Sequence, residues 1–252
     1  MRYQGGKIKQ RKYILPIIEG YLHNHSAWYI EPFMGGGSIF TYVNHPLKLG
    51  ADIDSDLMDM WKHFLVSHCP LPDPKEITKD LYERLRDESN LPNTERKFHS
   101  WIHGFVSHAC SYGGKKWGGY AHMNPKRGED HIAEAVSGLD KQIKDFKEPE
   151  KLILMSCPYD EVPVLPNSVI YCDPPYRGTL GYGTDFNHDK FWDWCRLMVS
   201  EFNCTVLVSE YDAPKDFRCI LSLDKKDGMG TTKKGDKQKN KVEKLFVANG
   251  NV

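Results

Sequence analysis

Four consecutive residues, Asp173-Pro174-Pro175-Tyr176, directly follow the apolar run Val169–Cys172. Two adjacent prolines neither extend a strand ladder nor sit inside a helix, so they stiffen the chain where a strand ends. A carboxylate at that point can accept a hydrogen bond from an exocyclic amine, and a proline carbonyl can accept the amine's second N–H. A tyrosine ring can stack on a flat heterocycle. Together these groups make a clamp for a planar amino group. The plainer alternative is a rigid turn around a buried tyrosine, and short motifs match by chance.

A second motif upstream favours the clamp. Glu31-Pro32-Phe33-Met34-Gly35-Gly36-Gly37-Ser38 follows another apolar run and precedes Ser38–Val43, expected to be helical. The glycines let the backbone turn sharply and approach a ligand closely. A helix N-terminus there would offer free N–H groups to a carboxylate or phosphate. Asp52 ends the next apolar run, where an acid can hold both hydroxyls of a ribose. The pair points to a nucleoside cofactor without separating a dinucleotide from S-adenosylmethionine. The dinucleotide fingerprint is incomplete, because Phe40 stands where its third glycine would be.

These motifs need strands to hold them. Short apolar, β-branched runs predict strands at Ala27–Glu31, Leu47–Ala51, Leu152–Ser156, Ser168–Cys172, Thr205–Ser209, Cys219–Leu223 and Lys244–Val247. Asp56–Val66 and Lys190–Phe202 carry helical patterns between strands, the signature of a parallel α/β sheet. A long polar segment joins the last two strands and suggests an antiparallel pair at one end. Ile77–Glu88, Glu95–Ala109 and His131–Phe146 predict helices in a region without a convincing strand. The expected architecture is therefore a Rossmann-like α/β domain made of residues 1–68 and 150–252. A mostly helical insertion, residues 69–149, interrupts it.

Composition narrows the class. Lys+Arg and Asp+Glu both number 34, so a uniformly basic coat is ruled out, although local basic patches are not. No apolar run reaches the ~20 residues of a membrane span. The N-terminus is polar, and the seven cysteines lack a C-x-x-C pair. A reduced, cytoplasmic protein without disulfide frame or metal site is the expectation. His99 and His103, four apart, lack a third ligand at sensible spacing for zinc. Gly181 and Gly183 give hinge freedom to a lid at Tyr182–His188.

Four segments in order, Arg2–Lys7 (R-Y-Q-G-G-K), Glu31–Ser38, Ala51–Leu57 (A-D-I-D-S-D-L) and Val169–Tyr176 (V-I-Y-C-D-P-P-Y), resemble the DNA adenine-N6 methyltransferases of the Dam-like alpha class. Ser111–Tyr120 is similar to a variant in some bacteriophage members. The resemblance implies a site-specific enzyme that moves a methyl group from S-adenosylmethionine to the N6 amine of a flipped adenine. It implies cofactor contacts by Tyr3, Lys7, Glu31, Phe33, Gly35, Gly36, Gly37, Ser38, Asp52, Ile53 and Asp173. Asp173, Pro174, Pro175 and Tyr176 would hold the target adenine. Pro158 stands where the family often carries an acid for the cofactor adenine, and Asp160 is the residue that would replace it. No covalent intermediate and no metal are required.

The resemblance makes double-stranded DNA the partner and admits a cognate restriction endonuclease, as in restriction-modification, with a monomer or weak dimer in a bacterial or phage-infected cytosol. Residues 225–244 hold eight lysines against Asp227, Asp236 and Glu243, and Lys233, Lys234, Lys237 and Lys239 would bind phosphates. Lys115, Lys116, Lys126 and Arg127 interleave with Trp117 and Tyr120, a mixture suited to nucleic acid. The competing picture is an aromatic hairpin packed on its own helices and a solvated lysine loop. Rival functions are methylation of an amine or amide in RNA or protein, a non-catalytic nucleic-acid-binding subunit, and a nicotinamide dehydrogenase.

Overall fold

Residues alternate between the two faces of the central strands, and each face finds its own helices. The computed structural model describes residues 1–23, 27–121, 130–177, 186–223 and 242–248. Its strands are β1 (Tyr29–Glu31), β2 (Leu47–Asp52), β3 (Lys151–Ser156), β4 (Val169–Cys172), β5 (Thr205–Glu210), β6 (Arg218–Leu223) and β7 (Glu243–Ala248). They form one sheet in the order β3-β2-β1-β4-β5-β7-β6. β1 to β5 run parallel, and β7 lies antiparallel between β5 and β6. All seven predicted runs are strands of this sheet, and the antiparallel pair sits at its end as expected.

Tyr29, Tyr171, Leu207 and Leu245 point into one core, while Ile30, Ile170, Cys172, Val206 and Val208 point into the other. This is the period-2 geometry of a strand buried on both faces. Among the described residues the first core is covered by α1 (Arg11–Leu22), α2 (Ser55–Leu65), α4 (Ser100–Ala109) and α5 (His131–Lys144), with α3 (Lys79–Glu88) outside α4. The second is covered by α6 (His188–Ser200), which buries Phe191, Trp192, Trp194, Cys195 and Met198.

Among the described residues of 69–149, α3, α4 and α5 form within the three stretches expected to be helical, and they share the first core with the sheet. α2 and α4 touch so closely at Gly104 that an added Cβ would lie 2.1 Å from the Asp56 carbonyl oxygen. One expectation fails, and one helix had no sequence expectation. Ser38–Val43 makes turns rather than a helix: Gly37 has a φ of +61°, and Thr41 Oγ1 bonds back to the Gly37 carbonyl at 2.8 Å. The helix-dipole argument for an anion at this turn goes with it. Conversely, α1 forms around Pro16, with Ile14, Ile18 and Leu22 buried one turn apart. Pro16 removes one ladder bond, and the apolar stripe outweighs that loss.

Candidate active site

The strand order reverses between β1 and β4, which leave in the same direction toward partners on opposite sides. In open parallel sheets ligands bind at such a switch point, beyond the carboxyl ends of the strands. Here β1 runs into the glycine turn and β4 into Asp173–Tyr176. Both open on one cavity of about 650 Å³. Tyr3, Lys7, Glu31, Phe33, Gly35, Gly36, Ser38, Asp52, Ile53 and Asp160 also border it. Gly37 lies behind the turn, where an added Cβ would meet Trp61 at 2.9 Å.

The turn is held from several sides. Asp52 accepts from the Gly35 N–H at 2.8 Å and the Asp54 N–H at 3.0 Å. Trp61 donates its indole N–H to the Gly35 carbonyl at 2.9 Å. Buried Gln142, on α5, donates to the Gly36 and Gly37 carbonyls, both at 3.0 Å. Tyr3 covers the outer side, and a Cβ on Gly36 would lie 2.5 Å from the Tyr3 Cβ. Gly35 and Gly36 are therefore needed for the N-terminal segment to close over the turn. Gln142→Ala strands carbonyls in the core, at about 1–3 kcal/mol per unsatisfied group. The expected result is a lower Tm, read by circular dichroism.

Lys7 joins the two motifs. Its backbone N–H donates to Ser38 Oγ at 2.9 Å. Its Nζ donates to Asp173 Oδ2 at 2.6 Å and to the Gly5 carbonyl at 3.0 Å, with Glu243 Oε1 at 3.5 Å. Burial alone would lower the Lys7 pKa, but Asp173 and Glu243 outweigh it and raise it. Burial raises the Asp173 pKa, and Lys7 opposes that rise. Glu31, buried beneath the pair, is pushed well above the ordinary carboxylate range by burial, although Tyr29 donates to it at 2.8 Å.

Tyr176 donates its hydroxyl to Glu243 Oε1 at 2.9 Å, and Gln10 donates to Oε2 at 3.2 Å. Neither Glu243 nor Gln10 sits in a motif, so sequence offered no signal for them. Tyr159 was closer to view, beside Pro158. Its ring stacks on Phe33 with centroids 5.4 Å apart. Asp160 meets Lys190 at 2.6 Å, and that hydrogen bond holds its carboxyl below the ordinary range.

The other proposed contacts divide. Lys115 is exposed, and Lys116 forms an ion pair with Asp54 at 2.7 Å. The rings of Trp117 and Tyr120 both pack against Tyr82, and the Tyr120 hydroxyl donates to the Ile77 carbonyl at 2.7 Å. Both rings are half-buried and pack against the first core. Lys126, Arg127, Lys233, Lys234, Lys237, Lys239 and most of the lid lie outside the described residues.

Asp54 caps α2 through the Leu57 N–H and also meets His108 Nε2 at 3.2 Å. Burial would raise its pKa, but His108 and Lys116 hold it well below the ordinary range. A depressed acid stabilises the fold above its unfolded pKa near 4 and loses that contribution as the pH falls through the folded value. Asp54→Asn keeps a capping oxygen and loses the charge. Urea unfolding is expected to show a deficit of about 1–2 kcal/mol at pH 7 that shrinks below about pH 4.

Two comparisons with known proteins bear on this site. Residues 3–106 match the family model of the D12 class N6 adenine-specific DNA methyltransferases. The retron Ec67 DNA adenine methylase of Escherichia coli is 25% identical over 167 residues, covering 62% of this chain and 58% of that protein. The chain therefore spans less than two thirds of that curated relative. The matched segment contains Tyr3, Lys7, the glycine turn and Asp52, and it ends before Asp173. Both comparisons bear out the resemblance first seen in the four sequence segments: over residues 3–106 this chain is similar to the D12 class N6 adenine-specific DNA methyltransferases.

Proposed function

We propose that the chain methylates the N6 amine of adenine in DNA, with S-adenosylmethionine as donor and the target base swung out of the duplex. The observation that carries this is the opening of the glycine turn and of Asp173 onto one cavity of about 650 Å³. A clamp and a nucleoside-type turn on opposite sides of the molecule would have spoken against it.

The residues fit the donor. The turn of Gly35 and Gly36 has no side chains to fill the cavity, Asp52 ends β2 beside it, and Ile53 is 70% exposed on the cavity's rim. Tyr3, Phe33, Asp52 and Ile53 would hold S-adenosylmethionine, which when bound supplies an electrophilic sulfonium methyl group. Adenine N6 is a poor nucleophile because its lone pair is delocalised into the ring. Asp173 and the Pro174 carbonyl would accept hydrogen bonds from its two N–H groups and turn that lone pair out of the ring plane toward the methyl carbon. As the N–C bond forms, the S–C bond breaks to leave the thioether, and one N6 proton is lost. Positioning of this kind can supply up to about 7–11 kcal/mol. Tyr176 would stack on the base and offset part of the few kcal/mol that flipping costs.

The test is incubation with labelled S-adenosylmethionine and plasmid DNA, followed by sequencing for modified bases. N6-methyladenine at a defined site is the expected product, and label in RNA or protein alone would reject the proposal. DNA affinity should also fall steeply with salt, since Lys115, Lys116 and the lysine-rich segment at 225–244 would contact phosphates. A flat salt titration would remove these lysines from the interface.

A further inference from the structure

Glu243 belongs to neither motif, yet it reaches the clamp from a strand two places along the sheet. It opens β7, and its carboxylate is largely buried, with 17% of the side chain exposed. Oε1 accepts from the Tyr176 hydroxyl at 2.9 Å and stands 3.5 Å from Lys7 Nζ, while Oε2 accepts from Gln10 at 3.2 Å. Two of these three groups belong to the clamp or touch it: Tyr176 is part of it, and Lys7 meets Asp173. The Lys7 ammonium also lies 4.9 Å above the Tyr176 ring, so ring and cation are fixed relative to each other.

We propose that Glu243 is a positioning residue of the methyl-transfer site, fixing the Tyr176 ring through its hydroxyl and giving Lys7 a second carboxylate beside Asp173. The inference rests on the proposed function. A phenol bonded at its tip cannot swing out of the plane on which a base would stack. The second role follows from charge. Lys7 occupies Asp173 Oδ2 at 2.6 Å, the oxygen an incoming amine would compete for. A single counter-ion would hold the ammonium there. With Glu243 at 3.5 Å, Lys7 can shift toward the second carboxylate and free Asp173 for the amine while the buried ammonium keeps a counter-ion.

The experiment has two arms. The first replaces the tyrosines with 3-fluorotyrosine and assigns the Tyr176 resonance by Tyr176→Phe. Fluorine NMR of the full chain should show this resonance shifted and broadened in Glu243→Ala and restored in Glu243→Gln, whose oxygen still accepts the hydroxyl. The second arm measures methyl transfer to DNA. Glu243→Ala should lower kcat about 10- to 100-fold, the worth of a hydrogen bond to a charged group, with the KM for S-adenosylmethionine within about twofold. Combining it with Tyr176→Phe should cost much less than the product of the single losses, because both remove one hydrogen bond.

An unmoved resonance, multiplicative losses in the double variant, or a cofactor KM rising in step with the loss in kcat would each overturn the proposal. A shifted resonance in a protein whose wild type transfers no methyl group to DNA would refute the proposed function and leave Glu243's hold on Tyr176 standing.

Discussion

Replacing Asp173 by alanine is expected to reduce methyl transfer at least about a thousandfold, roughly 4 kcal/mol in the barrier, while S-adenosylmethionine affinity changes less than about threefold. The asymmetry comes from what Asp173 touches. Its carboxylate faces the cavity and Lys7, whereas the glycine turn is built by Asp52, Trp61 and Gln142. Loss of Asp173 does not strand the Lys7 ammonium, because the Gly5 carbonyl at 3.0 Å and Glu243 at 3.5 Å remain. Pro174 and Pro175 keep the turn stiff in the variant. Asp173→Asn is the sharper comparison. It preserves shape but puts an N–H donor where an acceptor is required, and its loss should approach that of alanine. Calorimetry with the cofactor and single-turnover methyl transfer separate the two quantities. Transfer within about tenfold of wild type would remove Asp173 from the chemistry.

Such a prediction could be framed from sequence because the two motifs are contiguous. A parallel strand buried on both faces reads as an unbroken apolar run, so the runs Ser168–Cys172 and Thr205–Ser209 were visible, and the motif at the end of β4 came with them. What depends on chain segments meeting was not visible. Tyr176 and Glu243 are 67 residues apart, and nothing in a glutamate after a lysine-rich stretch says that it faces a tyrosine. Gln142 bonds the Gly36 carbonyl across 106 residues. α1 was hidden by Pro16, and the expected helix at Ser38–Val43 ignored Gly37, whose positive φ turns the chain before a ladder can form. Trp117 and Tyr120 show a further limit. Aromatic residues among lysines suit a nucleic-acid surface and a packed hairpin equally, and only the position of Tyr82 shows where these rings lie.

Lys7→Met is expected to move the acid limb of kcat/KM to higher pH. In the wild type burial raises the Asp173 pKa and Lys7 opposes the rise. Without the ammonium, Asp173 keeps the burial and also faces Glu243, whose charge raises its pKa further. The neighbours come from every side: Glu31 from β1, Tyr171 and Tyr176 from β4 and its turn, Tyr211 after β5, and Glu243 from β7. None of these can supply a positive charge. A protonated Asp173 donates where it should accept, so the variant loses activity at pH values where the wild type is still active and recovers as the pH rises. Stability moves the other way. An acid whose folded pKa is raised binds its proton more tightly when folded, so stability falls as pH rises above the unfolded value near 4. Lys7→Met should show this fall more steeply than wild type, toward the roughly 3–5 kcal/mol cost of breaking a buried ion pair. Rate profiles and urea unfolding followed upward from about pH 4 therefore give opposite slopes for one substitution. An unchanged acid limb would mean that Lys7 does not set the charge of Asp173.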